Sequence, residues 1–177
     1  MIRIRDLTRM ALCVALMAVC AWLTVPSPIP FTLQSFAVFF ALGLLGGRQG
    51  TLCILAYILL GAVGAPVFSG FRGGIGMLMG STGGYLIGFI AAGAVYGLTV
   101  RLMGEGIKAM ATGMALGMAV TYVFGTVWFC LAYARGGQAV TLGAVLSWCV
   151  WPFVLPDAVK IYLALLLSRR LKRRLGT

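Results

Sequence analysis

The segment from Gly64 to Tyr85, GAPVFSGFRGGIGMLMGSTGGY, constrains the rest of the chain most. Set between long apolar runs, it carries a proline, eight glycines and Arg72, so it cannot continue as a plain helix. Glycine at this density lets the backbone reach φ > 0 and lets a ligand or a second backbone come close. Beside a membrane, non-helical backbone is tolerated only where water or buried protein satisfies its polar groups. The segment is therefore expected to form a structured cap over a cavity.

The membrane follows from composition. Hydrophobic residues make up 62% of the 177, and three acids stand against fourteen bases. With a mean hydropathy of +1.05, this is the profile of a polytopic membrane protein, since no soluble core of this length needs it. The bases are not interleaved with exposed aromatics, which argues against nucleic acid as a partner. Cys13, Cys20, Cys53, Cys130 and Cys149 lie inside apolar runs without a CxxC pair, and there is no histidine. A zinc or haem site is thus not expected, and the cysteines read as small buried hydrophobes.

The expected architecture is an all-α integral membrane protein of one domain, with six transmembrane helices and structured external loops capping a ligand pocket. The spans are placed at about 10–25, 33–46, 51–63, 82–103, 107–134 and 142–167. The first follows a basic start with Arg3, Arg5 and Arg9 and lacks a convincing cleavage site, so it is kept as a span. On it, Ala11 and Ala15 at i and i+4 make a smooth strip, open to two uses: packing within the fold or docking to another membrane subunit. Pro26 to Pro30, PSPIP, cannot continue a helix and is expected as an external loop. The second and third spans are joined by Gly47-Arg48-Gln49-Gly50. Both fall short of the ~20 residues of a full crossing, which suggests a hairpin that leaves room for a cavity. Gln34, at the start of the second span, reads either as a wetted helix-start residue or as a ligand contact. The spacings Gly84/Gly88, Gly93/Gly97 and Gly113/Gly117 point to close helix packing inside the bundle more than to a dimer.

Positive residues orient these spans. With the N-terminus inside, eleven bases fall in cytoplasmic segments, including Arg48, Arg101, Lys108 and the SRRLKRR tail, against Arg72 and Arg135 outside. The positive-inside rule then places both termini in the cytoplasm, and the basic tail reads as an anchor to anionic lipid. By the same orientation the proline loop and the glycine-rich cap face outward together.

Within the last span, Asp157 and Lys160 sit in WPFVLPDAVKIYLALLL. Either charge at a helix centre costs on the order of 2.5–3.5 kcal/mol to insert. At i and i+3 they share a face and can offset each other. Pro152 and Pro156 are expected to break the run, which would put Asp157 in the first turn of a restarted helix, where the dipole favours a carboxylate. A structural ion pair and a ligand site are both open; a charged pair by a broken helix at membrane depth favours the second. With Arg72 the charges sum to +1, and Tyr85, Trp148 and Trp151 can supply walls with polar tips. That suits a small, partly apolar molecule with an acidic group and a hydrogen-bonding head.

The chain resembles the biotin-specific substrate-binding subunits, BioY, of energy-coupling factor transporters. The resemblance rests on VPSPIPFTLQSFAVFFALGLLGGRQGTL, YILLGAVGAPVFSGFRGG, GSTGGYLIGF and PFVLPDAVK, spread over nearly the whole chain. It implies a six-helix membrane subunit that binds biotin from outside, with no cofactor of its own. It further implies that Asp157 and Lys160 belong to the site, that Tyr85 and the residues before it, Thr82 and Gly83, contribute, and that Ala11 and Ala15 dock on a transmembrane coupling subunit. Two departures stand out: Ser81 replaces the usual proline before TGGY, and Arg72 stands where glycine or a small polar residue is expected. No G-x-x-x-x-G-K-[ST] motif is present, so ATPase partners are expected to supply the energy. An ion-coupled secondary transporter of another small organic anion is the alternative, but one buried acid and no clear repeat speak against it. An enzyme is not expected, since the usual acid–base, metal and nucleophile sets cannot be assembled.

Overall fold

The computed structural model describes residues 4–25, 31–137 and 141–175; the PSPIP loop lies outside them. Helix α1 (Ile4–Trp22) leads into two short strands, β1 (Thr24–Val25) and β2 (Phe31–Thr32), which pair antiparallel. This ribbon is a small departure from an all-α chain. Helix α2 (Gln34–Ala62) follows, then α3 (Ile75–Met79), α4 (Gly83–Met103), α5 (Ile107–Arg135), α6 (Leu142–Cys149) and α7 (Trp151–Leu175).

Helix α2 is a hairpin of two helical arms that meet at a non-helical residue, Gly46. Gly46 sits at φ 81° and ψ 171°, a conformation that glycine adopts at little cost. Beyond it the chain doubles back, so that Gly50 packs on the backbone of Leu42 and Gln34 reaches Tyr57. The reversal therefore occurs at Gly46, and the expected turn residues 47–50 already belong to the second arm. Divided at Gly46, the 29 residues of α2 leave neither arm with the ~20 that span a bilayer.

This hairpin is the centre of the molecule, with α1, α4 and α7 packed around it and α5 against α4. Its contacts require glycine. Gly47 lies against the Gly97 backbone, Gly93 against Thr51, and Gly84 and Gly88 against Trp128 and Thr121 of α5. Gly113 meets Tyr96, and Gly117 meets Ala92 and Phe39. All six glycines of the spaced pairs thus serve contacts inside the bundle. Met17, Phe39, Leu42, Ile54, Tyr57, Tyr96 and Met114 fill the core between these backbones.

Outward faces are apolar as well: Leu59, Val123, Val127, Leu131, Leu155 and Leu163 are exposed. Helices that are hydrophobic all round need an apolar surrounding, and among the described residues α4 and α5 are each long and apolar enough to cross a membrane unbroken. The chain has the build of a membrane protein. Cys13, Cys20, Cys53 and Cys149 are buried and unpaired, as expected of small hydrophobes, and Cys130 is half-buried.

The last expected span is divided differently from the reading of its prolines. The break falls at Val150 (φ −122°, ψ −62°), between α6 and α7, and Pro156 lies inside α7. Pro152, as the second residue of α7, occupies a position whose N–H has no helical acceptor anyway. Asp157 therefore stands in the second turn, beyond the reach of the helix dipole, and its stabilisation must come from side chains.

Candidate ligand-binding site

Those side chains come from four segments. Lys160 Nζ lies 2.9 Å from Asp157 Oδ1, and both residues are buried, 6% and 4% exposed. Lys160 also donates to the Thr32 carbonyl of β2 at 2.6 Å and to Ser35 Oγ of α2 at 3.3 Å. Its Nζ stands 4.0 Å from the centroid of the Phe31 ring. Ser35 Oγ donates to Asp157 Oδ1 at 2.9 Å, and Tyr122 of α5 donates to Oδ2 at 2.6 Å. All three ammonium protons and both carboxylate oxygens are engaged, which is the condition for holding ions in a low-dielectric interior.

This network forms one wall of a cavity of about 580 Å³, a size that accommodates a small organic molecule. Of the residues singled out in the sequence, Asp157, Lys160, Tyr85, Arg72, Gln34 and Thr82 all line it. Gly83 does not. A side chain there would strike the Leu78 carbonyl, so its role is to let the glycine-rich segment fold against the start of α4. Trp148 and Trp151, expected as walls, are instead exposed, 49% and 71%, and stand away from the cavity. Phe68, Phe89, Met118 and Phe153 supply the apolar surface in their place.

Gln34 is buried rather than wetted; it donates to Tyr57 Oη at 3.1 Å, and Tyr57 donates in turn to the Val67 carbonyl at 2.8 Å. That chain of bonds ties the glycine-rich segment to the hairpin. Tyr85 Oη is buried without a hydrogen-bond partner among the described residues, as is Thr126 Oγ1. A buried hydroxyl left unpaired costs about 1–3 kcal/mol, so Tyr85, which lines the cavity, offers a polar ligand an unused group.

The segment from Gly64 to Gly74 borders the cavity through Phe68, Ser69, Gly70 and Arg72. Trp22 at the end of α1 donates to the Pro66 carbonyl at 2.8 Å and stacks on Phe71 with centroids 4.8 Å apart. Thr24 and Ser69 share a hydrogen bond of 3.0 Å. Phe71 itself holds φ 58°, uncommon for a bulky residue, and the neighbouring Arg72 carbonyl accepts from Phe68 N at 2.9 Å.

Comparison with known proteins places this architecture. A family model described as "BioY family" matches residues 1–177. The chain belongs to the BioY family. Among BioY proteins it is 39% identical over 170 residues to the "Biotin transporter BioY" of Thermotoga maritima, covering 96% of each chain. It is likewise 39% identical over 169 residues to the "Probable biotin transporter BioY" of Pyrococcus horikoshii, covering 95% of this chain and 96% of the relative. Its fold superposes with a TM-score of 0.85 on the crystal structure of the S-component for biotin from an ECF-type ABC transporter. That match covers 96% of this chain and 92% of the other at 24% identity, so it speaks for the fold.

Three residues of the network around Asp157 and Lys160 escaped the sequence reading of this BioY member: Ser35, Thr32 and Tyr122. Only Tyr122 left a signal, as a hydroxyl within an apolar helix that must find a partner. Thr32 acts through its backbone carbonyl, which side-chain chemistry cannot announce.

Proposed function

We propose that this chain is the biotin-binding membrane subunit of a vitamin uptake transporter, capturing biotin from outside the cell and delivering it to the cytoplasm. It is a transporter component and not an enzyme. The observation that carries the reading is the cavity walled by the Asp157–Lys160 network, in a chain whose full-length relatives are named biotin transporters. In this reading the ureido N–H groups of biotin donate to Asp157, whose Oδ2 keeps acceptor capacity beyond Tyr122. The apolar side chains enclose the fused rings, and Tyr85, Gln34 and Thr82 supply further polar contacts. Lys160, with its protons already engaged, holds Asp157 in place and ties β2 to α7.

Equilibrium binding of biotin to the detergent-purified chain tests this proposal. Wild type binds tightly, and Asp157→Asn weakens binding by more than tenfold, about 1.4 kcal/mol. Absence of wild-type binding sinks the ligand assignment; equal binding by both proteins makes the pair purely structural.

The chain lacks a phosphate-binding loop motif, so transport in this proposal draws energy from ABC-type ATPase subunits through a coupling transmembrane subunit. Both termini lie in the cytoplasm of a prokaryotic cell with the chain in its inner membrane, as the eleven-to-two split of bases supports. Docking falls to the strip on α1, where Ala11 and Ala15 are both exposed. Ala11→Trp or Ala15→Trp is expected to leave biotin affinity unchanged and to cut co-purification with a coupling subunit at least tenfold. Parallel loss of both would assign the strip to internal packing.

A further inference from the structure

Three charged side chains line the cavity: Asp157, Lys160 and Arg72. The first two cancel each other 2.9 Å apart, and the three ammonium protons of Lys160 are already engaged within the protein. Arg72 differs in each respect. It is exposed at the rim, and among the described residues the salt bridge formed is Asp157–Lys160, with no carboxylate beside Arg72. The other acids, Asp6 and Glu105, lie in the first turn of α1 and in the α4–α5 connection. An α1–α2 hairpin–α4–α5 path alternates in direction, which places both at the far end of the bundle from Arg72.

The backbone that carries Arg72 is fixed by its neighbours, and among the described residues its guanidinium has no carboxylate partner. Phe71 at φ 58° is held in the left-handed region, a conformation that costs of order 1–3 kcal/mol and persists only where surrounding contacts impose it. Here those contacts are the Trp22 stack, the Trp22–Pro66 and Thr24–Ser69 hydrogen bonds, and the bridge between Phe68 and Arg72. They anchor the segment to the end of α1 and set Arg72 on the rim. The cavity thus presents a neutral, hydrogen-bonding wall in its interior and one uncompensated cation at its mouth.

Resting on the biotin reading above, we propose that Arg72 is the specificity-determining residue for the ligand's acidic end, pairing with a free carboxylate and so selecting acids over their neutral esters. A guanidinium forks onto a carboxylate through two parallel N–H···O bonds, which the ester cannot reproduce with its charge removed. The pairing also cancels the net +1 of the three cavity charges when the ligand is in place.

Competitive binding of biotin and biotin methyl ester to wild type, Arg72→Gln and Arg72→Lys tests it. Wild type favours the acid at least tenfold, and that preference shrinks as ionic strength rises because the rim is solvent-exposed. Arg72→Gln loses the preference, binding the acid at least tenfold more weakly while its affinity for the ester stays within twofold. The unchanged ester affinity doubles as proof that the variant is folded. Arg72→Lys keeps part of the preference. The inference is overturned if Arg72→Gln weakens both ligands equally, or if the acid-to-ester ratio survives the substitution. If wild type binds neither ligand, the biotin reading falls first, an outcome the ratio cannot mimic.

Discussion

Lys160→Met is expected to destabilise the protein by about 3–5 kcal/mol, the usual effect of stripping one partner from a buried ion pair. Asp157 would keep Ser35 and Tyr122 as donors but would hold an uncompensated charge at 4% exposure. Replacing both charges, as Asp157→Leu with Lys160→Met, removes that penalty, because an apolar pair of similar volume is commonly neutral or stabilising. Stability measured by denaturation in detergent should therefore fall in the single variant and return in the double one. Biotin binding should fall in both. A double variant that regained binding along with stability would show that the ligand makes no use of these charges.

The second large effect is expected at the hairpin. Gly47 meets the backbone of Gly97, so an added Cβ has no flexible side chain to push aside. Gly47→Val should force α2 and α4 apart at an overpacking cost of about 1–3 kcal/mol or more. Gly76→Ala is a matched control, since a Cβ there meets nothing within 4 Å. Equal denaturation profiles for Gly47→Val and wild type would disprove the close backbone contact.

How much of this was legible in the sequence depended on whether a residue acts through what it is or through where its neighbours bring it. Asp157 and Lys160 stood out because charge in an apolar run has to be compensated, and the i, i+3 spacing named the partner. The glycine pairs announced close helix packing because little else fits where a Cβ would collide. Ser35 and Thr32 left no such mark, since their contribution arises only when the ribbon and the start of α2 fold onto α7. The prolines misled for a definable reason. Pro152 costs nothing in a first helical turn, and α7 carries Pro156 in its interior despite the lost hydrogen bond and the crowding of the preceding turn, so the chain breaks at Val150 instead. Trp148 and Trp151 were assigned to the cavity by chemical suitability alone; the break at Val150 leaves both on the outer surface.

The neutrality of the buried pair also fixes how the site meets an electric field. Asp157 and Lys160 sum to zero within 2.9 Å, so α7 holds a dipole there rather than a charge. A potential of 100 mV does ~2.3 kcal/mol of work on an elementary charge carried across a bilayer, and almost none on two opposite charges that travel together. Through these two side chains, voltage neither drives nor resists any displacement of the site.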